Sequence, residues 1–315
     1  MARLQESGTL SELTLGRASA RPRRRFHIYP YLSILPALVV VVVISVYPLL
    51  FALDMSLHRN VLTEPLSHPF VGTRNFVDVF GSYYFLRSLQ ATLKFTALII
   101  VGTITFGVLV GLYLNRGGAL PGFLRLAILL PWAIPTVMAA IIWRWIFNGN
   151  YGMLNALLVG VGVIPEYMSW LSSPYWAPLA LVVTHVWKWG PLAAIMCLAT
   201  LQVIPRDLYE AAHIDGGGSW ATFRFITMPF LRPTILLLLI LETIAGFVTF
   251  DIIYVLTGGG PADATTMLAW FAYAEIFRFL NLGKGAAMAF VIAALTLGMA
   301  LVYVRLLRSE ETYTT

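Results

Sequence analysis

Four ionisable side chains lie within long apolar stretches of the sequence, where they could bind a polar solute or an ion: Arg144, Lys188, Glu242 and Asp251. Charged groups in such stretches are costly and usually face a protein interior or a water-filled path. At about 1.5 Å of rise per residue, Lys188 and Glu242 reach similar depths if their stretches are helices that cross a bilayer. We predict an ion pair between these two helices, with hydrogen bonding to solute hydroxyls as the alternative role for either group. Arg144 and Asp251 are predicted near the ends of their helices, in interfacial roles.

Aromatic residues flank Lys188 on both sides. Trp187 and Trp189 offer ring faces beside polar groups, which suits the C–H faces and hydroxyls of a ring-shaped solute, and packing against lipid explains each ring equally well. Pro191 removes a helix hydrogen bond and is expected to kink this helix. His185 is expected to be a core histidine with satisfied hydrogen bonds. The candidates for a solute path or an intramembrane pair are therefore Trp187, Lys188, Glu242 and Asp251.

A polar hairpin, EAAHIDGGGSWATFRFITMP from Glu210 to Pro229, separates two of the apolar stretches. Pro205 suits the first turn of a helix because its missing N–H is not needed there, and we predict a short helix from Pro205 to Ile214. Glycines 216–218 are predicted to end that helix, since glycine accepts the left-handed conformation of a C-terminal cap.

The second half of the hairpin is predicted to be another short helix. Ser219 can cap its start, and Pro229 and Pro233 are expected to end it and begin the next apolar stretch. Ala211 and Ala212 beside the Glu210 carboxylate are predicted to make an exposed docking surface for a partner. An amphipathic loop lying on the membrane surface is the alternative.

The elements that must position these residues are membrane-spanning helices. The chain has 315 residues, of which 59% are hydrophobic and 11% charged, a composition typical of a membrane protein. Stretches of roughly 20 apolar residues can cross about 30 Å of hydrocarbon as helices. Six are predicted, at residues 33–53, 92–114, 124–147, 176–200, 234–256 and 284–307. The sequence therefore predicts an all-α polytopic membrane protein with six transmembrane helices.

Basic residues concentrate on one side of the predicted spans. With the N-terminus inside, the inner segments hold the arginines of residues 21–25 together with Arg116, Arg206 and Arg224. This positive-inside pattern places both termini and the hairpin in the cytoplasm, and it explains the net charge of +6 without nucleic-acid binding. The predicted division is a tail at 1–32, a six-span domain at 33–308 and a tail at 309–315, with the hairpin at about 203–230.

Two further patterns concern packing and metal binding. Gly102, Gly107 and Gly111 mark one side of the second predicted span, which favours close helix packing. Cys197 is the one cysteine and lies in an apolar stretch, so the sequence offers no disulfide framework and no cysteine spacing for a metal.

The hairpin resembles the EAA loop of bacterial binding-protein-dependent ABC importers. The pattern of that family is Glu-Ala-Ala, three residues, Gly, nine residues, Ile, one residue, a hydrophobic residue and Pro. The matching positions in this chain are Glu210, Ala211, Ala212, Gly216, Ile226, Met228 and Pro229. Met228 replaces the usual leucine, and Gly217 replaces an alanine that is frequent in sugar permeases of the family.

Three more segments resemble the carbohydrate permeases of that family, the maltose-type and glycerol-phosphate-type group. They are FVGTRNF at 70–76, LPWAIPTVMAAIIWRWIF followed by GMLN, and FDIIYVLTGGGP at 250–261. The resemblance covers nearly the whole chain and implies a permease subunit in the bacterial plasma membrane, moving its solute by alternating access. It also implies a second homologous permease, a cytoplasmic ATPase dimer and an external binding protein that delivers a carbohydrate. The residues it places against the ATPase are Glu210, Ala211, Ala212, Asp215, Gly216, Ile226 and Pro229.

The sequence contains no G-x-x-x-x-G-K-[ST] phosphate loop, so the resemblance assigns ATP, Mg and hydrolysis to a separate ATPase subunit. We expect a non-enzymatic subunit with no catalytic residues, metal or cofactor of its own. The alternative is a secondary transporter powered by an ion gradient, with Lys188 and Glu242 as proton or ion sites, and the EAA spacing argues against it. A membrane enzyme would need a convergent polar or metal site, which the sequence does not indicate.

Overall fold

A computed structural model of the chain describes residues 29–64, 67–115 and 122–311, with side chains described for 33–64, 67–115 and 127–305. The predictions that concern residues 1–28, Arg116 and residues 312–315 lie outside these ranges. The chain divides into two compact units, Met1–Leu50 and Phe51–Thr315, and every site discussed below lies within the second unit.

Helices make up nearly all the regular structure in these ranges, with two isolated β-bridges, His58–Phe70 and Val61–Asn281. Turns of π-helix at Val42–Val46 and Phe223–Thr227 and a 3₁₀ turn at Trp170–Ser172 join some of the α-helices. The α-helices are α1 Tyr29–Val41, α2 Tyr47–Leu57, α3 Arg74–Phe80, α4 Tyr83–Asn115, α5 Gly122–Ala133, α6 Thr136–Ile146, α7 Met153–Gly160, α8 Trp176–Val203, α9 Arg206–Ile214, α10 Ser219–Thr222, α11 Met228–Val248, α12 Asp251–Leu256, α13 Leu268–Phe277 and α14 Leu282–Glu311.

The segments long and apolar enough to cross a membrane agree with the predicted fold class. Five are continuous: Ser33–Leu57, Tyr83–Asn115, Trp176–Val203, Ser219–Val248 and Leu282–Arg305. A sixth is obtained when the bent pair Ala127–Ala133 and Thr136–Ile146 is counted as one span. The all-α membrane fold is therefore confirmed, with its third span in two pieces.

The break in the third span corrects the prediction of one helix over 124–147. Helix α5 ends at Ala133, α6 begins at Thr136, and the two axes meet at 108°. Pro135 lacks the N–H that a continuous helix would need, and a proline disfavours the helical conformation of the residue before it, here Ile134. The sequence LPWAIP thus turns the chain sharply within the apolar stretch.

The fifth span also differs from its prediction. Pro229 and Pro233 do not end a helix, because one helical segment runs from Ser219 to Val248 through both prolines. The π turn at Phe223–Thr227 precedes Pro229, and local π adjustment is one way in which membrane helices accommodate proline. The predicted stretch 234–256 instead stops at Val248, and residues 251–256 form the separate helix α12.

The glycines of α4 bring this helix close to α8, as the sequence predicts. A Cβ added at Gly102 would lie 2.7 Å from Val186 Cγ2, and one at Gly111 would lie 3.0 Å from the Cβ of Cys197. At Gly107 the added atom would lie 2.7 Å from the Cβ of Ala193 and 3.0 Å from its carbonyl carbon. Since backbone atoms cannot move aside as a flexible side chain can, this contact requires glycine.

Replacing Gly107 by alanine should therefore lower the free energy of unfolding by about 1–3 kcal/mol, the usual cost of overpacking a filled interface. The matched control is Gly298→Ala in α14, where an added Cβ meets no atom within 4 Å. Thermal unfolding of the purified chain in one detergent measures both variants. Equal unfolding midpoints would contradict the close contact of α4 with α8.

Candidate functional site

The polar hairpin joins the end of α8 to the start of the next membrane helix. Pro205 adopts φ −59° and ψ 135° directly before α9, which begins at Arg206 and ends at Ile214, within one residue of the predicted helix. Asp207 lies in its first turn, where its negative charge complements the helix dipole, and His213 lies in its last turn. The hairpin thus presents a short helix between two long ones.

The turn after α9 depends on glycine at one position. Gly216 adopts φ +75°, in the left-handed region, and follows the hydrogen bond from the Asp215 N–H to the Ala211 carbonyl, 3.0 Å long. The Gly217 N–H then donates to the Ala212 carbonyl at 2.8 Å. These bonds satisfy carbonyl groups at the end of α9, the usual role of a C-terminal cap.

One side of the hairpin is fixed to the helices beneath it. The Tyr209 hydroxyl lies 3.2 Å from the Thr227 hydroxyl, within hydrogen-bond distance. Tyr209 and Ile226 also pack, half-buried, against an apolar cluster that includes Ile204 and Leu231. Ile226, which the sequence assigned to the partner surface, is therefore placed among the residues that support the hairpin.

The other side of the hairpin faces outward. Of the predicted partner contacts, Ala212 is half-buried and the exposed ones are Glu210, Ala211, Asp215, Gly216 and Pro229. Three large apolar side chains that the sequence analysis did not assign are also exposed here: Ile214 by 86%, Trp220 by 73% and Phe225 by 77%. Apolar residues inside an otherwise polar hairpin were the signal for them, since an exposed apolar patch marks an interaction surface.

A cavity of about 760 Å³ lies between the hairpin and the end of α4. Leu112 and Asn115 of α4 line one wall, and Tyr209, His213 and Trp220 line part of the other. The hairpin is therefore held on its α11 side and open on its α4 side.

Inside the apolar region, Lys188 binds the broken end of α5. Its Nζ donates to the carbonyl oxygen of Ile134 at 2.6 Å and to that of Trp132 at 3.3 Å, and the residue is only 4% exposed. Carbonyl groups at a helix C-terminus have no partner within the helix and carry partial negative charge, so a buried cation is well placed there. The Lys188 ammonium also lies 5.4 Å from the centre of the Trp189 ring.

Glu242 pairs with His185, and the predicted ion pair between Lys188 and Glu242 is wrong. The Nε2 atom of His185 lies 2.7 Å from Oε2 of Glu242, within hydrogen-bond distance, and both residues are buried. His185 lies about one helical turn before Lys188, so the predicted depth of Glu242 along α8 was correct to within one turn. Lys188 instead donates hydrogen bonds to the carbonyl groups that the break in the third span leaves free.

His185 is a buried histidine with one nitrogen bound. It is 1% exposed, and its ring packs edge-on against Phe95 at 5.8 Å between centres. Its Nδ1 atom has no hydrogen-bond partner among the described residues. The expectation of a fully satisfied core histidine is therefore met at Nε2 only.

The other candidate path residues lie in separate surroundings. Trp187 is half-buried, with its ring edge-on to Trp143 of α6 at 5.7 Å. Asp251 is exposed at the start of α12, and Arg144 is exposed in the last turn of α6. Phe250, next to Asp251, begins a cluster of aromatic rings that the sequence analysis did not identify, with centres 4.7 Å from Tyr273 and 5.9 Å from Trp270.

Comparison with known proteins gives one matching family and close relatives. The model of the family described as "Binding-protein-dependent transport system inner membrane component" matches residues 103–310, which include the hairpin and all four candidate path residues. The trehalose/maltose transport system permease protein MalF of Thermococcus litoralis is 40% identical over 278 residues, or 87% of this chain and 92% of that protein. The sulfoquinovosyl glycerol transport system permease protein SmoG of Agrobacterium fabrum is 37% identical over 280 residues, or 89% of this chain and 90% of that protein.

A solved structure has a similar fold. It is a crystal structure of a bacterial ABC transporter involved in the import of the acidic polysaccharide alginate, with a TM-score of 0.76. The match covers 91% of this chain and 96% of that chain at 23% identity, so it concerns the fold alone.

Gly216→Ala should loosen the end of α9, because a residue with a Cβ costs roughly 1–2 kcal/mol in the left-handed region. Gly218→Ala is the matched control, since Gly218 has φ −71° and an added Cβ would meet no atom within 4 Å. Hydrogen exchange followed by mass spectrometry should show amides of residues 211–217 exchanging about tenfold faster in the first variant only. Equal exchange in the two variants would show that the turn does not depend on Gly216.

Double-mutant cycles should distinguish the two ion-pair assignments. His185→Phe combined with Glu242→Leu should show a coupling of about 0.5–3 kcal/mol in unfolding free energy, as expected for residues in direct contact. Lys188→Met combined with Glu242→Leu should be additive within about 0.5 kcal/mol. Unfolding in detergent, followed by tryptophan fluorescence, measures both cycles, and the larger coupling in the Lys188 cycle would overturn the contacts described here.

Proposed function

Because this chain belongs to the family of binding-protein-dependent transport system inner membrane components, we propose that it is the permease subunit of an ATP-driven importer for a carbohydrate. Residues 33–308 are the permease domain in this proposal. The related proteins named for trehalose and maltose and for sulfoquinovosyl glycerol support a sugar or a sugar-like solute. Their different names leave the particular sugar open.

The observation that carries the proposal is the exposed helix α9 at the junction of two membrane helices. A partner that presses on Glu210 and its neighbours acts directly on the end of α8 and on the segment that starts at Ser219. Two hydrogen bonds tie α8 to α11 above the hairpin: Thr200 with Thr234 at 2.6 Å, and His185 with Glu242 at 2.7 Å. The two helices therefore move together when the hairpin moves.

The same motion reaches the broken third span. Lys188 of α8 holds the carbonyl groups at the end of α5, so a displacement of α8 pulls on the bend between α5 and α6. In this proposal, movement at the hairpin becomes a change in the angle of a broken membrane helix, and the solute path opens alternately to the two sides of the membrane.

The partners complete the proposed importer. A second homologous permease forms the other half of the path, and a cytoplasmic ATPase dimer binds ATP and Mg and presses on α9. An external binding protein delivers the solute. The chain lies in the bacterial plasma membrane with the hairpin and both termini in the cytoplasm, and the contact residues on α9 and after it are Glu210, Ala211, Ala212, Asp215 and Gly216.

Candidates for contact with the sugar are Trp187 and Asp251. Exposed Asp251 offers hydrogen-bond acceptors and directly follows Phe250 of the aromatic cluster in the chain, and carboxylates and aromatic rings suit the hydroxyls and C–H faces of a sugar. A transporter driven by an ion gradient through Lys188 and Glu242 gains no support, because both groups are buried and bound to other protein atoms.

ATP-dependent uptake of labelled sugars tests this function. ATP is loaded into right-side-out vesicles that hold the chain with its copurifying subunits, so that the hairpin and the ATP lie on the same side, and the external binding protein is added outside. Wild-type vesicles should accumulate at least one sugar only with ATP, and Glu210→Lys should reduce that uptake at least tenfold, because it reverses a charge on the face of α9 that the ATPase contacts.

Glu166→Lys is the matched control, since it reverses an exposed carboxylate in the segment before α8, at the end of that helix away from the hairpin. Amounts of chain in the membrane are compared by immunoblot. Uptake that proceeds without ATP and follows an imposed ion gradient would contradict the proposed function, and equal losses in the two variants would contradict the role of the hairpin.

A further inference from the structure

A groove on the outside of α4 and α8 carries two cations that no part of the proposed transport mechanism uses. It has a volume of about 560 Å³ and lies between residues Arg87 to Leu98, in the first half of α4, and residues Pro174 to Val182, at the start of α8. Asn115, at the other end of α4, lines the cavity beside the hairpin, so the groove lies at the end of the helices away from the hairpin.

The cations of this groove lack acidic partners. Arg87, Gln90 and Lys94 are exposed and follow one another at helical spacing along one face of α4. Neither cation forms an ion pair with any carboxylate in the part of the chain that the structure describes, and Arg87 contacts the Tyr83 ring at 5.1 Å. Asp263 is the one carboxylate in the lining, so the groove keeps an excess of positive charge.

The far half of the groove is apolar. Leu98, Leu179 and Val182 line it below Lys94, and Phe95 and Met267 form part of its floor. The groove closes where Gly102 meets the side chain of Val186, because the two helices approach closely from there onward. A ligand that fills the groove must therefore combine an anionic head with an apolar tail.

The dimensions fit one leaflet of a membrane. From Arg87 to Leu98, α4 rises by roughly 16 Å at about 1.5 Å per residue, close to half of the ~30 Å hydrocarbon thickness. Lysine and arginine extend their charged ends toward the headgroups while their stems lie along apolar surface, so Lys94 can reach the same phosphate as Arg87. We infer that this groove binds an anionic phospholipid, with the phosphate between Arg87 and Lys94 and an acyl chain against Leu98, Leu179 and Val182.

The carboxylate of Asp263 favours a particular headgroup. Its Oδ1 lies 3.4 Å from the Thr266 hydroxyl, which donates at 2.8 Å to the carbonyl of Gly259, so the lone pairs of the carboxylate can accept from hydroxyl groups of a ligand. A glycerol headgroup supplies such hydroxyls without adding a positive charge. Phosphatidylglycerol is therefore the lipid that we assign to the groove.

Native mass spectrometry of the assembled importer, titrated with phosphatidylglycerol in detergent, tests this assignment. The variant Arg87→Gln/Lys94→Gln should lower the affinity for the lipid by at least about tenfold, because two cationic contacts to the phosphate are lost. The control variant Arg74→Gln/Arg144→Gln removes two exposed cations outside the groove, and it should leave the affinity for phosphatidylglycerol unchanged. Equal weakening in both variants, or none in the first, would overturn the proposal.

Two further measurements distinguish a lipid from other ligands. Leu98→Trp fills the apolar half of the groove without a change of charge and should also weaken phosphatidylglycerol binding severalfold, so the proposal remains testable if the double charge variant fails to fold. Glycerol 1-phosphate, which has the headgroup but no acyl chain, should not displace the lipid at equal concentration. Displacement by it would indicate a site for a soluble anion, and equal binding of phosphatidylethanolamine would contradict the preference for an anionic headgroup.

Discussion

Free carbonyl groups at a break in a membrane helix are the constraint on which the rest of this structure depends. In hydrocarbon no water is available to satisfy them, so a helix can end there only where protein groups take its last carbonyls. Pro135 ends α5 within the third span, and Lys188 of α8 donates to the carbonyls of Trp132 and Ile134. A buried lysine is stable at this position because the helix end supplies partial negative charge. Lys188 therefore satisfies carbonyl groups that the bend leaves without partners in the helix.

Helix α8 connects this bend to the surface that a partner can reach. One turn before Lys188 it carries His185, which binds Glu242 of α11. Near the end of α8, Thr200 forms a hydrogen bond with Thr234, which also lies in α11. Residues Ala193 and Cys197 of α8 pack against Gly107 and Gly111 of α4, and a methyl group added at Gly107 would crowd the backbone of Ala193. Its last residue, Val203, leads directly through Pro205 into α9. Charged and polar contacts thus fix α8 to α5 and α11, while the hairpin remains exposed at its end.

Much of the fold and of the hairpin could be predicted from local sequence. The six apolar stretches, the glycines of α4 and the helix from Pro205 to Ile214 follow from residue composition and spacing over a few turns. The partners of Lys188 and Glu242 could not be predicted in this way, because they depend on where the chain bends and on the rotation of α8 about its axis. Depth along a helix was estimated correctly to within one turn, and one turn separates His185 from Lys188. The aromatic cluster around Phe250 was missed because its rings come from two helices, α12 and α13, and from the residue before α12.

The sequence by itself determined that the chain is an all-helical membrane protein with an exposed, glycine-capped hairpin, since hydropathy and turn chemistry act between neighbouring residues. Only the tertiary structure decided that the third span is bent by 108°, that the fifth helix continues through Pro229 and Pro233, and which buried charges meet. The physical reason is that the bend and the buried pairs satisfy polar groups on one helix with groups on another. Such partners are far apart in the chain, and their pairing depends on helix angles and rotations that no local pattern specifies.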